Sequence, residues 1–337
     1  MMRLPPFRYL APTTAAETAR VLAGEGPAAM VVAGGTDLYP NMKRRHQMPT
    51  TLVALKRVRD VRGLLWQPDG ALLVGAGELL RAVERDPGVN QRLPALGDAV
   101  RSISTPLLRN MGTLGGNVCL DTRCNYYNQS WEWRRAINFC MKCEGDICWV
   151  APSSSRCWAV NSSDSVPVLI ALGATARLTG PQGTREIPVA ALFKNDGIDY
   201  LTKARDEVLT HLVVPPQGSA RSVYRKVRRR GAFDFPVAAV AARVRLDGDR
   251  VVAADIVLNA VASAPLVAAE AQQSLLGQVL SDEVIAAAAE KAARLAKPLD
   301  NTDHLAGWRR KVVAVEVRRA LAACRGEPPS RPASSGR

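Results

Sequence analysis

Val32-Ala33-Gly34-Gly35-Thr36-Asp37, closing a short apolar run that begins at Met30, and Gly112-Thr113-Leu114-Gly115-Gly116-Asn117 further along decide how this chain is read. Residues without side chains let backbone amides close on a bulky anion such as a diphosphate. Neither stretch has the G-x-G-x-x-G spacing of a nicotinamide-dinucleotide fold, so that reading loses its main support. Either stretch alone reads equally well as an ordinary turn.

Thr14 and Glu17 have capping-box spacing and open an Ala-rich helix that reaches Leu22 and breaks at Gly24. Strand-like runs at 30–33, 51–55 and 71–75 alternate with helical pattern, which indicates α/β organisation. Between 101 and 117 a helical pattern gives way to the second glycine stretch, read as a loop, and 164–172 reads as a short helix started by a Ser-Asp cap. Further strand-like runs fall at 175–178, 207–214 and 222–227. Those at 237–246 and 251–260 flank Asp247-Gly248 as a hairpin. Helical periodicity over 268–276, 282–296 and 304–323 completes an α+β unit. The expected domains are 1–217 in two α/β parts, interrupted at about 119–160, then 218–325 with antiparallel sheet followed by helices. The tail 326–337, rich in Pro, Ser, Gly and Arg, is expected to be disordered.

The interruption is marked by cysteine. Cys119, Cys124, Cys140, Cys143, Cys148 and Cys157 are six of the chain's seven, and Cys324 stands apart. Without a secretion signal disulfides are disfavoured, so clustered thiolates point to a metal. Zinc sites usually show two tight pairs, whereas only Cys140 and Cys143 form a C-x-x-C here. Neither common ferredoxin run is present. A four-thiolate [4Fe–4S] site with open spacing is the preferred reading and a zinc-stabilised interaction module the alternative. Spacing alone does not choose four ligands from six. Trp131, Trp133, Trp149 and Trp158 share the segment, either to keep water from a cluster or to pack the insert on its host.

The chain has 337 residues and is 47% hydrophobic, which predicts two or three packed units. Pro5, Pro6 and Arg8 interrupt its start, so neither a signal peptide nor a membrane span is expected and a cytoplasmic protein is. Lys plus Arg exceed Asp plus Glu by 45 − 31 = 14. Aromatics are only 5% of the chain, against a nucleic-acid stacking surface. The run Arg225, Lys226, Arg228, Arg229, Arg230 reads as a solvated or subunit-facing strand edge. His46, His211 and His304, far apart in sequence, read as structural or surface residues.

Together the two glycine stretches, with Lys226 and Arg230 ahead of Phe233-Asp234-Phe235-Pro236, resemble the FAD-binding subunits of the xanthine oxidase family of molybdenum hydroxylases over nearly the whole chain. The resemblance implies a two-part FAD-binding domain of the xanthine oxidase/CO dehydrogenase flavoprotein type and a flavoprotein C-terminal domain. FAD would lie against Val32, Ala33, Gly34, Gly35, Thr36, Asp37, Leu38, Gly112, Thr113, Gly115, Gly116 and Asn117, with Asp164, Leu209 and Lys226 near the ribityl chain or isoalloxazine.

Most members run from the second glycine stretch directly to a Ser-rich stretch, here Ser162-Ser163-Asp164. The cysteine insertion resembles that of the beta subunits of 4-hydroxybenzoyl-CoA reductases, and by that resemblance Cys124, Cys140, Cys148 and Cys157 bind a [4Fe–4S] cluster. It further implies a molybdopterin-binding large subunit, a small subunit with two [2Fe–2S] centres, a dimer of heterotrimers, and a ferredoxin-like donor. No residue of this chain would be catalytic. Cys119 and Cys143 are extra thiols, and Leu79 stands where many members carry Thr. An FAD subunit of another molybdenum hydroxylase is the nearest alternative.

Overall fold

The computed structural model describes residues 3–326. The expected disordered tail falls outside the described residues apart from Gly326, which ends the last helix with φ 110. The first helix spans Ala15–Glu25. Thr14 Oγ1 accepts from Glu17 N at 3.1 Å, and the Glu17 carboxylate accepts from Thr13 N at 2.7 Å, one residue ahead of the usual capping-box partner. Gly24 does not break this helix. An interior glycine costs only about 1 kcal/mol, Ala19 and Leu22 still bury their face, and the chain turns at Gly26, where φ is 63.

Three sheets organise the chain. Thr51–Ala54 is the centre of a parallel sheet, flanked by Arg8–Leu10 and Ala29–Val32. An antiparallel sheet follows in the order Leu64–Trp66, Leu72–Gly75, Val208–Val214, Thr175–Gly180, Gly183–Pro188. The sequence pattern misses Gly183–Pro188 because nearly every residue of it is exposed and no apolar alternation remains to be read. It also misses the three-residue strands Arg8–Leu10 and Leu64–Trp66, too short to show a period.

The third sheet, Leu266–Val267, Arg250–Asn259, Ala238–Asp247, Arg221–Val227, is antiparallel. Asp247 pairs with Arg250, so the hairpin turn is Gly248-Asp249, one residue later than the dipeptide suggested. Gly248, with φ 59, takes the first central position, where a left-handed residue is needed. Alternate residues of Ala238–Asp247 serve two cores. Ala238, Val240, Ala242 and Val244 pack with the helices Ala269–Leu275, Asp282–Leu295 and Ala306–Arg325, while Ala239 and Ala241 join the core of the five-stranded unit. This sheet is therefore a shared wall. Its edge strand Arg221–Val227 carries the start of the basic run, and partners surround it: Arg225 meets Glu316 at 2.8 Å, Arg228 meets Ser102 O at 3.2 Å and Arg230 meets Asp234 at 3.0 Å.

Arg123 and Val160 exchange both backbone hydrogen bonds, at 2.9 and 2.8 Å, which closes a neck beneath the cysteine segment. Inside it Trp131–Ala136 is helical, started by Ser130, and the rest is turns. Asn301 fastens the segment to the C-terminal unit: its carbonyl accepts from Asn125 N at 2.7 Å and its amide donates to Trp158 O at 2.6 Å. Arg309, wholly buried, holds Asn301 Oδ1 at 3.1 Å and the carbonyls of Val237 and Leu299. Burial pulls its pKa down to about 10. Among the described residues no helix is long and apolar enough to cross a membrane.

Candidate functional site: a nucleotide cleft and a cysteine pocket

The two glycine stretches meet. A Cβ on Gly34 would lie 1.9 Å from the carbonyl oxygen of Met111, so the first stretch rests directly on the backbone leading into the second. Gly35 takes φ 71, which turns the chain into the helix Leu38–Lys43. Through Gly34, Gly35, Thr36, Asp37 and Leu38 the backbone N–H groups donate to nothing among the described residues. Five successive free donors beside a cleft are a bed for anionic oxygens.

In the second stretch the glycines divide their work. Gly115 is buried, and a Cβ there would lie 2.6 Å from Ala76 Cβ, so it lets the chain press on the five-stranded sheet. Gly116 is exposed and would meet only Thr113 Oγ1 within 4 Å. What the sequence presents as a loop is the start of a short helix, Leu114–Val118, because Thr113 Oγ1 accepts from Gly116 N at 3.0 Å. Asn117 Oδ1 accepts from Ser163 Oγ at 2.8 Å and Ser165 Oγ at 2.7 Å, tying this stretch to the Ser-rich turn.

Between these parts opens a cleft of about 590 Å³, within the roughly 300–1,000 Å³ usual for ligand sites. Val32 through Leu38, Gly112, Thr113, Gly115, Gly116, Asn117, Asp164 and Leu209 line it; Lys226 does not. Ser162 Oγ, buried and without a partner, also faces the cleft and is free to bond a polar ligand. The expected Ser-Asp cap is corrected: Asp164 makes no cap bond, and Ser163 Oγ accepts from Val166 N at 3.3 Å instead. Asp164 is thereby released to bind Tyr224 OH at 2.6 Å and Lys226 Nζ at 2.9 Å, and Lys226 lies behind it on Ser102 O at 3.1 Å. Arg123, Tyr200, Asp121 and Phe235 complete the walls. Arg123 pairs with Asp37 and stacks on Phe235 at 4.9 Å.

Alongside is a smaller cavity, lined by Cys124, Cys140, Cys148 and Cys157, all buried, together with Tyr127, Lys142 and Trp149. Of the four tryptophans of the segment, only Trp149 reaches this lining. Cys143 turns aside, its sulfur 2.8 Å from a nitrogen of the buried Arg134, and Cys119 lines the nucleotide cleft. Backbone N–H groups aim at the sulfurs: Tyr126 and Tyr127 at Cys124, Lys142 and Cys143 at Cys140, and Ala159 at Cys157. Burial pushes the free thiols of Cys124 and Cys157 up to about 12 and about 11, so thiolates here call for a cationic group. Among the described residues no three His, Cys, Asp or Glu converge as a single metal ion requires. Zinc would need four sulfurs about 2.3 Å from one point. The four thiols line the cavity without meeting at one such point.

The histidines stay apart from both cavities. His46 stacks on Tyr127 with centroids 4.5 Å apart, and burial pulls its pKa down to about 4. His211 lies within Val208–Val214, and His304 stacks on Trp308 at 4.4 Å. Asp121, Arg123, Lys142 and Tyr200 escape a reading of the sequence, since no local pattern marks them, and Ser162 stood out only as part of a Ser-rich stretch.

Residues 5–217 match the family model for the FAD binding domain in molybdopterin dehydrogenase, and 222–324 that for the CO dehydrogenase flavoprotein C-terminal domain. The carbon monoxide dehydrogenase medium chain of Hydrogenophaga pseudoflava is 28% identical over 319 residues, 94% of this chain and 96% of that one. The aldehyde oxidoreductase FAD-binding subunit of Escherichia coli is 32% identical over 301 residues, 84% of this chain and 90% of that one. A solved carbon monoxide dehydrogenase from H. pseudoflava superposes with TM-score 0.80 at 26% identity, covering 96% of this chain and 98% of that one. The fold, the glycine bed and these matches agree that the chain binds FAD and belongs, as an oxidoreductase subunit, to the FAD-binding subunits of the xanthine oxidase/CO dehydrogenase family of molybdenum hydroxylases.

Proposed function

We propose that this is the flavin- and iron–sulfur-carrying subunit of a molybdenum-containing 4-hydroxybenzoyl-CoA reductase, which removes the ring hydroxyl to give benzoyl-CoA. In this reading electrons enter from a ferredoxin-like donor at a [4Fe–4S] cluster and leave through FAD towards [2Fe–2S] centres and molybdenum on partner subunits. The observation that carries it is the second cavity: four buried cysteines from an insertion, three of them with backbone N–H groups trained on their sulfurs, beside the flavin cleft. When bound, the cluster supplies one-electron transfer and FAD exchanges one or two electrons. The chain's own work is to hold both. Gly34 to Leu38 present donors to the diphosphate, Ser162 and Asp164 face the cleft, and Cys124, Cys140, Cys148 and Cys157 supply thiolates. Outer-sphere transfer requires no general acid or base, and the histidines stand clear.

The names of the matched relatives favour a second reading, an FAD subunit acting on carbon monoxide, an aldehyde or a purine. Turnover by the assembled complex separates the two: the first reading expects reduction of 4-hydroxybenzoyl-CoA, and oxidation of an aldehyde or xanthine in its place defeats it. For the cluster, anaerobically purified protein should contain iron and acid-labile sulfide. Cys148→Ser should lose that iron and keep its FAD, while Cys143→Ser, at a sulfur already engaged by Arg134, should keep both. Loss of iron from Cys143→Ser with Cys148→Ser intact overturns the ligand set.

A further inference from the structure

A buried ion pair stands between the two cavities. Lys142, inside the C-x-x-C of Cys140 and Cys143, lines the cysteine pocket, and Asp121 lines the nucleotide cleft. Their side chains are 6% and 7% exposed, and Lys142 Nζ lies 2.8 Å from Asp121 Oδ1. The ammonium also donates to Thr122 Oγ1 at 2.9 Å and Gly197 O at 2.6 Å, so all three of its protons are taken. The rings of Tyr127 and Tyr200 face it at 4.9 and 5.6 Å. The other carboxylate oxygen of Asp121 accepts from Gln47 at 3.2 Å and from Tyr127 OH at 3.3 Å. Thr122 N donates to Oδ1 at 2.9 Å as well, so both ends of the pair are held in place.

Burying two charges rarely repays their desolvation compared with a packed apolar pair, so stability alone does not explain this one. Its orientation suggests another purpose. Building on the reading that both redox groups are bound, we propose that the Lys142–Asp121 pair sets the gap between their reduction potentials. The ammonium end raises the potential of the group held by the cysteines, and the carboxylate end lowers that of the flavin. The equilibrium concerned moves one electron, oxidising the iron–sulfur group and reducing the flavin by one. At roughly one nanometre and an effective dielectric of about 20, a lone charge would change such an equilibrium by about tenfold; the opposite charge 2.8 Å away cancels most of that, leaving about threefold for the two groups together, or about 28 mV for one electron.

The test is an anaerobic redox titration of the complete complex, following flavin absorbance and the cluster's paramagnetic signal. Lys142→Met combined with Asp121→Asn removes both charges without leaving either one unpaired. The expected result is a lower cluster potential and a higher flavin potential than in the parent, changing the equilibrium by about threefold. Unchanged potentials, or both moving the same way, overturn the proposal even if the variant melts earlier. Should the double variant fail to fold, Asp121→Asn alone, which keeps the ammonium, is expected to raise both potentials, the flavin's more. Equal or absent shifts there overturn it too. A parent complex without iron would instead defeat the underlying reading, which this comparison keeps separate.

Discussion

Gly34→Ala is expected to yield protein with little or no bound FAD and a lowered melting temperature. The added Cβ would sit 1.9 Å from the Met111 carbonyl oxygen and 2.6 Å from its carbon, and the obstacle is backbone that cannot swing aside as a side chain would. Met111 and Gly112 both donate to Leu108 O, at 3.1 and 2.8 Å, so their turn is fixed from within. The two glycine stretches must separate, and overpacking of this kind costs about 1–3 kcal/mol. The larger loss is functional, because the five free N–H donors from Gly34 to Leu38 move with the displaced stretch. Gly24→Ala is the control: no atom lies within 4 Å of its new methyl, it is not part of the cleft lining, and the flavin should remain. Flavin-to-protein ratio and thermal unfolding read both variants, and full flavin content in Gly34→Ala would sink the account of how the stretches cooperate.

Both stretches were visible as glycine in the sequence, but the division of labour within them was not. Gly34 and Gly115 serve contact with Met111 and Ala76, partners far away in the chain, whereas Gly116 leaves its backbone open beside the cleft. Local pattern carries no information about such distant neighbours. It does carry the long helices and the central strands, whose apolar period survives because each buries a face. Strand 237–246 was legible, yet its two-sided burial became clear only once the sheet was seen to be shared by two cores.

The cysteine segment shows the opposite balance. Its composition is what suggested a metal, while an irregular path with one short helix gave no period from which to choose among six thiols. Geometry brings Cys124, Cys140, Cys148 and Cys157 to one cavity and gives Cys143 to Arg134. Lys142 was hidden for the same reason, since an ordinary lysine inside a C-x-x-C becomes notable only when its carboxylate partner faces the other cavity.

Asp164 and Lys226 were expected beside the flavin, and their positions lead to the second large effect. Asp164 belongs to the turn before the helix Ser165–Ala171, and Tyr224 and Lys226 belong to the edge strand Arg221–Val227. Their bonds at 2.6 and 2.9 Å therefore clamp the C-terminal sheet to the nucleotide-binding part, with only Asp164 reaching the cleft. Both side chains are about as hidden as side chains become, 5% exposed for Lys226 and 4% for Asp164. Removing one member leaves the other charge buried and uncompensated, at a cost of about 3–5 kcal/mol. Lys226→Met and Asp164→Asn are each expected to lower stability by that order. Together they leave no stranded charge, so the double variant should recover much of the loss, giving a strong coupling in a double-mutant cycle measured by denaturant unfolding. Flavin content separates clamp from direct contact. If Lys226 acts only through Asp164, the stability-restored double variant loses no more FAD than Asp164→Asn, whereas a further drop would place the lysine itself against the cofactor. Additive costs, with no recovery in the double variant, would show that the two charges do not act as one linkage between the sheet and the cleft.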